Sequence, residues 1–273
     1  MSKVIQIIPK KDIFPLLLPS YAIIQLKLKI MILAGGFMAQ KDDVIKAMES
    51  NGGYATFQQL NSIVDYSAWK TKTPAASIRR IVQVYDEFFR IKPGLWALTK
   101  CKDDVLSKFS IEPDNRRTDE LFTHSYYQGI VVEIGNMKKY QTYVPAQDKN
   151  KKFLETKLCD LTTIETIPGF TYDNLLRRAR TVDVIWFNER KMPCGFYEIE
   201  HTTDIKNSLG KFYELQDFRA DFSIIADASR KEQFMDIISA SMYNPIRKYV
   251  RFVSYDSIIR QYEKEQIVLD AEL

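Results

Sequence analysis

Apolar residues recur at helical spacing in three short segments between residues 39 and 85. The first pattern ends at Asn51-Gly52-Gly53, residue types that accept the left-handed backbone of a helix C-terminus. Thr56 is an N-cap signal for the second segment, and Thr73-Pro74 is one for the third. The pattern therefore predicts three consecutive helices.

Two short apolar runs follow the third helix, Phe88 to Ile91 and Leu95 to Leu98, with Pro93-Gly94 between them. Pro followed by Gly is typical of a tight turn, so the runs predict a hairpin. Three helices and a hairpin predict a winged helix-turn-helix domain over residues 39–100. The segment also resembles winged-helix modules fused to restriction and chromatin proteins, which carry a similar turn to Gly52–Thr56.

The third helix of a winged helix can enter the major groove of DNA while the wing contacts the backbone. Ile78, Ile81 and Val82 form its apolar stripe, and Arg79 and Arg80 lie outside that stripe. The candidate phosphate contacts of this domain are Lys70, Lys72, Arg79, Arg80, Arg90 and Lys92. The alternative is that these charges form a solvated face of a domain that binds protein.

The segments on either side of this domain have no comparable periodicity. Residues 1–38 are apolar but are interrupted by Pro15, Pro19 and two lysines, which disfavours a membrane span and predicts an arm or upstream extension. Residues 101–117 are polar and predict a linker.

The chain from 118 to 273 alternates helical and extended patterns, which predicts a mixed α/β domain. Thr118 begins an amphipathic helix that bears Glu133. The β-rich run Thr181 to Phe187, which contains Asp183, and the run Gly195 to Glu200 predict two adjacent strands, joined by a polar turn. Further strands are predicted near residues 222–226 and 249–253, with a helix between them.

Three carboxylates fall on the two adjacent strands. Glu198 and Glu200 are two residues apart, so they point to the same face of a strand. Asp183 lies on the neighbouring strand. Carboxylates that converge in this way repel each other unless a cation lies between them, and an oxygen-rich pocket suits Mg²⁺, or else Mn²⁺. The pattern predicts a metal site at Asp183, Glu198 and Glu200.

The order acid, hairpin and acid-x-lysine resembles the PD-(D/E)XK nuclease superfamily, with Asp183 as the first acid and Glu198 as the second. Glu200 stands where that family usually has lysine, a Glu-x-Glu variant that some restriction enzymes share. The string around Glu198 also resembles a bacterial group that often carries an N-terminal helix-turn-helix. The resemblance implies a restriction-endonuclease-like mixed-sheet sandwich, in which Glu200 takes the role of the lysine and Glu133 is a helix-borne catalytic acid.

The overall composition permits this interpretation. The net charge is only +4, and the three cysteines form no CxxC pair, which disfavours a zinc site and fits a reducing cytoplasm. Lys206 and Lys211 are further candidates for contact with DNA phosphates, although solvated positions are an equal alternative.

The leading hypothesis is a Mg²⁺-dependent endonuclease that cuts foreign double-stranded DNA and has no membrane role. One site per chain and a double-strand cut would favour a homodimer. Two alternatives remain open at this point. One is a DNA-binding regulator built on an inactive nuclease fold, which the missing lysine motivates. The other is an interaction module of a defence or mobile-element complex.

Overall fold

A computed structural model describes residues 39–112, 115–201 and 204–272, with side chains described as far as residue 268. The predicted N-terminal arm lies outside the described residues. The chain has a mixed α/β fold in which an N-terminal unit, residues 39–101, packs against a C-terminal unit that follows it.

The N-terminal unit contains three helices and a three-stranded antiparallel sheet. Helix α1 covers residues 39–50. Strand β1 (Tyr54–Thr56), helix α2 (Phe57–Ile63), helix α3 (Pro74–Val84), strand β2 (Phe88–Lys92) and strand β3 (Leu95–Leu98) follow, and the strands lie in the order β1-β3-β2.

Two local signals in this unit act as their chemistry predicts, whereas Thr73, which precedes α3, makes no side-chain capping hydrogen bond. Thr56 caps α2 through a capping box with Gln59. Gly94, at the tip of the β2–β3 hairpin, has a φ of +82°, a value that glycine adopts at no steric cost.

Strand β3 is buried on both of its faces. Trp96 and Leu98 face the helices of the N-terminal unit, whereas Leu95 and Ala97 join the core of the C-terminal unit. Because successive side chains of a strand alternate between its faces, each face of the hairpin serves a different core. The outer face of the hairpin is therefore covered by protein.

The segment predicted as a linker carries a short helix, α4 (Lys102–Lys108), after a 3₁₀ turn. Val105, Phe109 and Ile111 in this segment are buried in the core of the C-terminal unit. These apolar residues are too few to form a helical repeat, which explains why the pattern alone indicated a linker.

The C-terminal unit is built on a five-stranded mixed sheet. Helix α5 (Arg116–Met137) begins at the N-cap Asn115, upstream of the Thr118 start that the pattern predicted. Strand β4 (Gln141–Tyr143) follows, then a small ribbon, β5 (Lys152–Phe153) and β6 (Thr156–Lys157), and two short helices, α6 (Leu158–Leu161) and α7 (Asp173–Ala179). The central strands are β7 (Val184–Phe187) and β8 (Pro193–Glu200).

The chain continues with α8 (Ile205–Glu214), β9 (Asp221–Ala226), α9 (Lys231–Ser239), β10 (Val250–Ser254) and α10 (Tyr255–Glu272). The sheet order is β10-β9-β8-β7-β4. The β7–β8 hairpin is antiparallel, and β8, β9 and β10 run parallel. The strands predicted in this region are present, but β7 begins at Val184, three residues after its predicted start at Thr181, so Asp183 precedes the strand.

Helices cover both faces of this sheet. Helices α5 and α10 pack on one face together with the N-terminal unit, and α7, α8 and α9 pack on the other. The four residues of β7 are all buried, as expected of a central strand covered on both sides. The acidic residues Asp183, Glu198 and Glu200 lie near the strand ends of this sheet.

Candidate active site

The acidic cluster lies at the start of β7 and the end of β8. Asp183 directly precedes β7, and its Oδ2 accepts a hydrogen bond from the backbone N–H of Ile199, at 2.8 Å. This bond fixes the Asp183 carboxylate beside the last residues of β8.

Glu198 and Glu200 lie on the same face of β8, as their spacing predicts, and both are buried. The hydroxyl of Ser208 on α8 lies between them, 2.8 Å from Glu198 Oε2 and hydrogen-bonded to Glu200. Arg230 is near the second of these acids, with its guanidinium 3.9 Å from Glu200 Oε2 and 2.9 Å from the Glu200 carbonyl oxygen.

Lys211 brings an ammonium group into this cluster from α8. Its Nζ lies 2.9 Å and 2.8 Å from the two carboxylate oxygens of Glu198 and donates to the carbonyl oxygen of Thr181 at 2.8 Å. Lys211 is only 9% exposed. The sequence indicated it as a contact to DNA phosphate, whereas the structure places it inside the acidic cluster. Lys206, its companion in that prediction, is exposed in the first turn of α8.

The two central acids differ in their electrostatics. Burial and the neighbouring Asp183 carboxylate together raise the pKa of Glu198, against the opposing effect of Lys211. Burial also acts to raise the pKa of Asp183, but hydrogen bonding and charge attraction from His124 outweigh it and leave that pKa below its usual value. A pair of this kind holds its first proton on Glu198 and keeps Asp183 ionised.

A second group of polar residues meets Asp183 from the α5 side. His124 Nε2 lies 3.3 Å from Asp183 Oδ2. Gln128, one helical turn later, donates to the carbonyl oxygen of Asp183 at 2.9 Å and to Asp148 Oδ2 at 2.8 Å. His124, Asp148 and Asp183 each offer one ligand atom within a 4.8 Å spread. Sequence reasoning missed this group because its members share no local motif. The spacing of His124 and Gln128 on one helix face was the available signal.

The donor set fits a divalent cation. Two carboxylates and an imidazole supply ligand atoms within 4.8 Å of one another, and among the described residues the buried Oε1 of Gln128 has no hydrogen-bond partner. Buried polar atoms without partners are rare and call for a water or an ion.

Glu133 is separated from this cluster, although the sequence grouped it with the catalytic acids. It lies nine residues beyond His124, about two and a half helical turns, and so falls on the opposite side of α5. There it hydrogen-bonds to the hydroxyl of Tyr262, which is also 2.8 Å from Gln58 of the N-terminal unit. These residues line a polar cavity of about 270 Å³ between the two units.

The six basic residues that the sequence indicated for DNA contact in the N-terminal unit fall into two groups. Lys70, Lys72 and Arg80 are exposed. The others form ion pairs with acids of the C-terminal unit: Arg79 with Glu263 at 2.5 Å, Arg90 with Asp256 at 2.8 Å and Lys92 with Asp119 at 2.6 Å.

The fold and the site define a mixed α/β protein with a buried carboxylate–lysine cluster at the end of a hairpin. Residues 105–269, well over half of the chain, match the family of the type II restriction enzyme NmeDI C-terminal domain. The chain belongs to this family.

The type II restriction enzyme NmeDI of Neisseria meningitidis serogroup C is 25% identical over 99 residues. The aligned region is 34% of this chain and 28% of that enzyme, so it spans less than a third of the relative's length. No solved structure matches the chain. Among the described residues, no helix has the length and apolar character needed to cross a membrane.

Proposed function

We propose that the chain is a restriction-type endonuclease that hydrolyses phosphodiester bonds of double-stranded DNA with the help of a divalent cation. The observation that carries the proposal is the buried cluster of Asp183, Glu198 and Lys211 at the β7–β8 hairpin. Membership of a restriction-enzyme family supports the reaction class. In this proposal the C-terminal unit is a PD-(D/E)XK domain.

Lys211 supplies the ammonium group that the acid-x-lysine pattern lacks at Glu200. Its contacts with both oxygens of Glu198 place a positive charge next to the second acid of the pattern. In the proposed reaction Lys211 orients the attacking water and stabilises the charge that develops on the phosphate.

The carboxylate oxygens of Asp183, Glu198 and Glu200 would hold Mg²⁺ or Mn²⁺. The hydroxyl of Ser208 links the two glutamates by hydrogen bonds. A bound cation would polarise the scissile phosphate and lower the pKa of the attacking water. Ser208 and Arg230 hold the two glutamates in position.

We further propose that the N-terminal unit is a winged helix that reads DNA. Lys70, Lys72 and Arg80 are exposed, and we assign the DNA contacts of the N-terminal unit to them. Arg79, Arg90 and Lys92 face acids of the C-terminal unit instead, so they position the reader on the nuclease. A double-strand cut by this enzyme would use a homodimer, with one site for each strand.

The alternative function is a DNA-binding regulator on an inactive nuclease fold. The observation that favours it is the complete pairing of Glu198 by Lys211 and Ser208, which would hold the acid without a cation. Cleavage assays separate the two functions.

The test is cleavage of methylated and unmethylated DNA by purified protein in Mg²⁺, in Mn²⁺ and in EDTA. We expect cleavage only with a divalent cation. Asp183→Asn, Glu198→Gln and Lys211→Met should each lower the rate by about 100-fold or more, because each removes a group that would hold the cation or act on the transition state. DNA affinity should persist in all three.

The matched control is Glu189→Gln, an exposed acid in the turn of the same hairpin, which should cut at the normal rate. Full activity of Glu198→Gln would overturn the assignment of the site. DNA binding without cleavage under any of these conditions would favour the regulator.

A further inference from the structure

We propose a second cation site on the α5 side of Asp183, formed by His124, Asp148 and Asp183 and selective for an ion that accepts imidazole, such as Mn²⁺ or Co²⁺. This inference goes beyond the proposed function, because ion binding there is a property of the protein without DNA. The site shares only Asp183 with the carboxylates of β8.

The geometry of the three side chains suits a single ion. Their ligand atoms lie within 4.8 Å of one another. Ligands about 2.1 Å from one ion are separated by roughly 3 to 4 Å across its coordination sphere, so small side-chain rotations bring all three into contact with it. Asp148 is buried, and it is held in place by the amide of Gln128.

Gln128 gives independent support for a bound ion. Its side chain is completely buried, with 0% exposure. Its amide nitrogen donates to Asp148 and to the Asp183 carbonyl, so the amide group lies next to both residues. Among the residues that the structure describes, its Oε1 has no hydrogen-bond partner. An amide oxygen is a good ligand for a hard cation and would be satisfied by it directly or through a bound water.

The balance of charges around this pocket also permits a cation to bind. The ammonium of Lys211 neutralises the other side of the cluster, at Glu198. Lys151 pairs with Asp148 at 2.5 Å, but its side chain is about one third exposed. A long lysine side chain can swing into solvent, so an entering ion displaces Lys151 and takes over its role as counter-charge.

The imidazole determines which ion is preferred. Mg²⁺ binds oxygen ligands in a strict octahedron and retains its waters, whereas Mn²⁺ and Co²⁺ accept nitrogen together with carboxylate. Affinity for a mixed site of this kind rises from Mn²⁺ to Co²⁺. We therefore expect the order Co²⁺, Mn²⁺, Mg²⁺, from the tightest to the weakest.

The test is titration of the full chain with Co²⁺, followed by calorimetry, visible absorption and proton NMR. The chain has two histidines, so a paramagnetically shifted imidazole is assigned by one variant. His124→Gln should remove the shifted imidazole and weaken Co²⁺ binding by at least about tenfold. His201→Gln is the matched control and should change neither. Asp148→Asn, checked for folding by its thermal transition, should weaken binding in the same way.

A gain of affinity gives a second, independent readout. Lys151→Met removes the positive charge that competes with the ion at Asp148, so it should tighten Co²⁺ binding. Lys149→Met is the control and should not change Co²⁺ binding, because Lys149 lies near Glu165 instead. Unchanged Co²⁺ affinity in His124→Gln, or Mg²⁺ binding as tight as that of Co²⁺, would overturn the site.

The Glu198→Gln variant separates this inference from the proposed function. It should lose cleavage and keep the Co²⁺-shifted imidazole of His124. If the wild-type protein never cuts DNA but shows that signal, only the endonuclease proposal fails. If it cuts DNA and lacks the signal, only the second site fails.

Discussion

Lys211 reaches the carboxylate that a lysine in the acid-x-lysine pattern would accompany, but it does so from a different element. The pattern places that lysine at position 200 of β8, where this chain has glutamate. Helix α8 packs across the end of β8, so one of its inward side chains reaches Glu198. The lysine on α8 therefore reaches the same carboxylate that a lysine at position 200 of β8 would reach.

Sequence reasoning found the strand acids but missed most of their partners. Asp183, Glu198 and Glu200 were recognisable because alternation along two adjacent strands predicts their direction. The partners that were missed, His124, Asp148 and Ser208, lie on different segments of the chain. Tertiary packing brings these segments together, and residue spacing in the sequence does not predict that packing. Glu133 was assigned to the site for the same reason, since its helix was known but the orientation of that helix was not.

Glu133 provides a pH test at the residue scale. Burial raises its pKa, against the opposing hydrogen bond from Tyr262. The folded protein keeps this proton at pH values where the unfolded chain has lost it, so the free energy of unfolding falls as pH rises above the usual range of glutamate. Glu133→Gln should therefore gain stability over the wild type at about pH 8 and gain less at about pH 4.

Urea unfolding at the two pH values measures this difference. Glu189→Gln, at an exposed acid, serves as the control and should show no such pH dependence. A stability difference for Glu133→Gln that is the same at both pH values would contradict the prediction.

At the scale of elements, one side of helix α3 is exposed to solvent and another side contacts the C-terminal unit. Arg79 pairs with Glu263 of α10 and lies over the ring of Phe57, whereas its neighbour Arg80 is exposed. Neighbouring helix positions point in different directions, so the two arginines have different environments. The pattern placed both outside the apolar stripe, but it contained no information about α10.

This division predicts different effects of the two arginines on DNA. Arg80→Ala should weaken DNA binding. It should also reduce the slope of the logarithm of the binding constant against the logarithm of salt concentration by about one, as expected when one phosphate contact is lost. Arg79→Ala should change the slope less and should instead lower the free energy of unfolding, by about 0.2–1 kcal/mol for a partly exposed pair.

Fluorescence anisotropy at several salt concentrations and urea unfolding measure the two effects. The double variant with Glu263→Ala tests whether the stability effect of Arg79→Ala depends on this pair. If Arg79→Ala has the larger effect on the salt slope, α3 presents a different face to DNA.

At the scale of the whole molecule, the hairpin tip and α10 are closely packed. A Cβ added at Gly94 would lie 2.8 Å from Cγ2 of Ile259, and the backbone there has a positive φ. Gly94→Ala should therefore destabilise the protein by about 1–3 kcal/mol through overpacking. Gly169→Ala is the matched control, because a Cβ there meets no atom within 4 Å.

Because the two units share a core, we expect this destabilisation to appear in both of them. Single-tryptophan variants that retain Trp96 or Trp186 report on the N-terminal and C-terminal units separately. Their unfolding curves should coincide and should shift together in Gly94→Ala. Separate transitions would show that the units unfold independently.

The burial of β3 on both of its faces restricts how proteins of this architecture can exchange their N-terminal unit during evolution. Leu95 and Ala97 belong to the core of one unit, and Trp96 and Leu98 belong to the core of the other. If the N-terminal unit reads DNA as proposed, a different DNA-binding unit joined to this C-terminal unit would have to match that packed surface as well as supply a DNA-binding face. New DNA specificities would then be more accessible through substitutions on the exposed side of α3 than through exchange of the whole N-terminal unit.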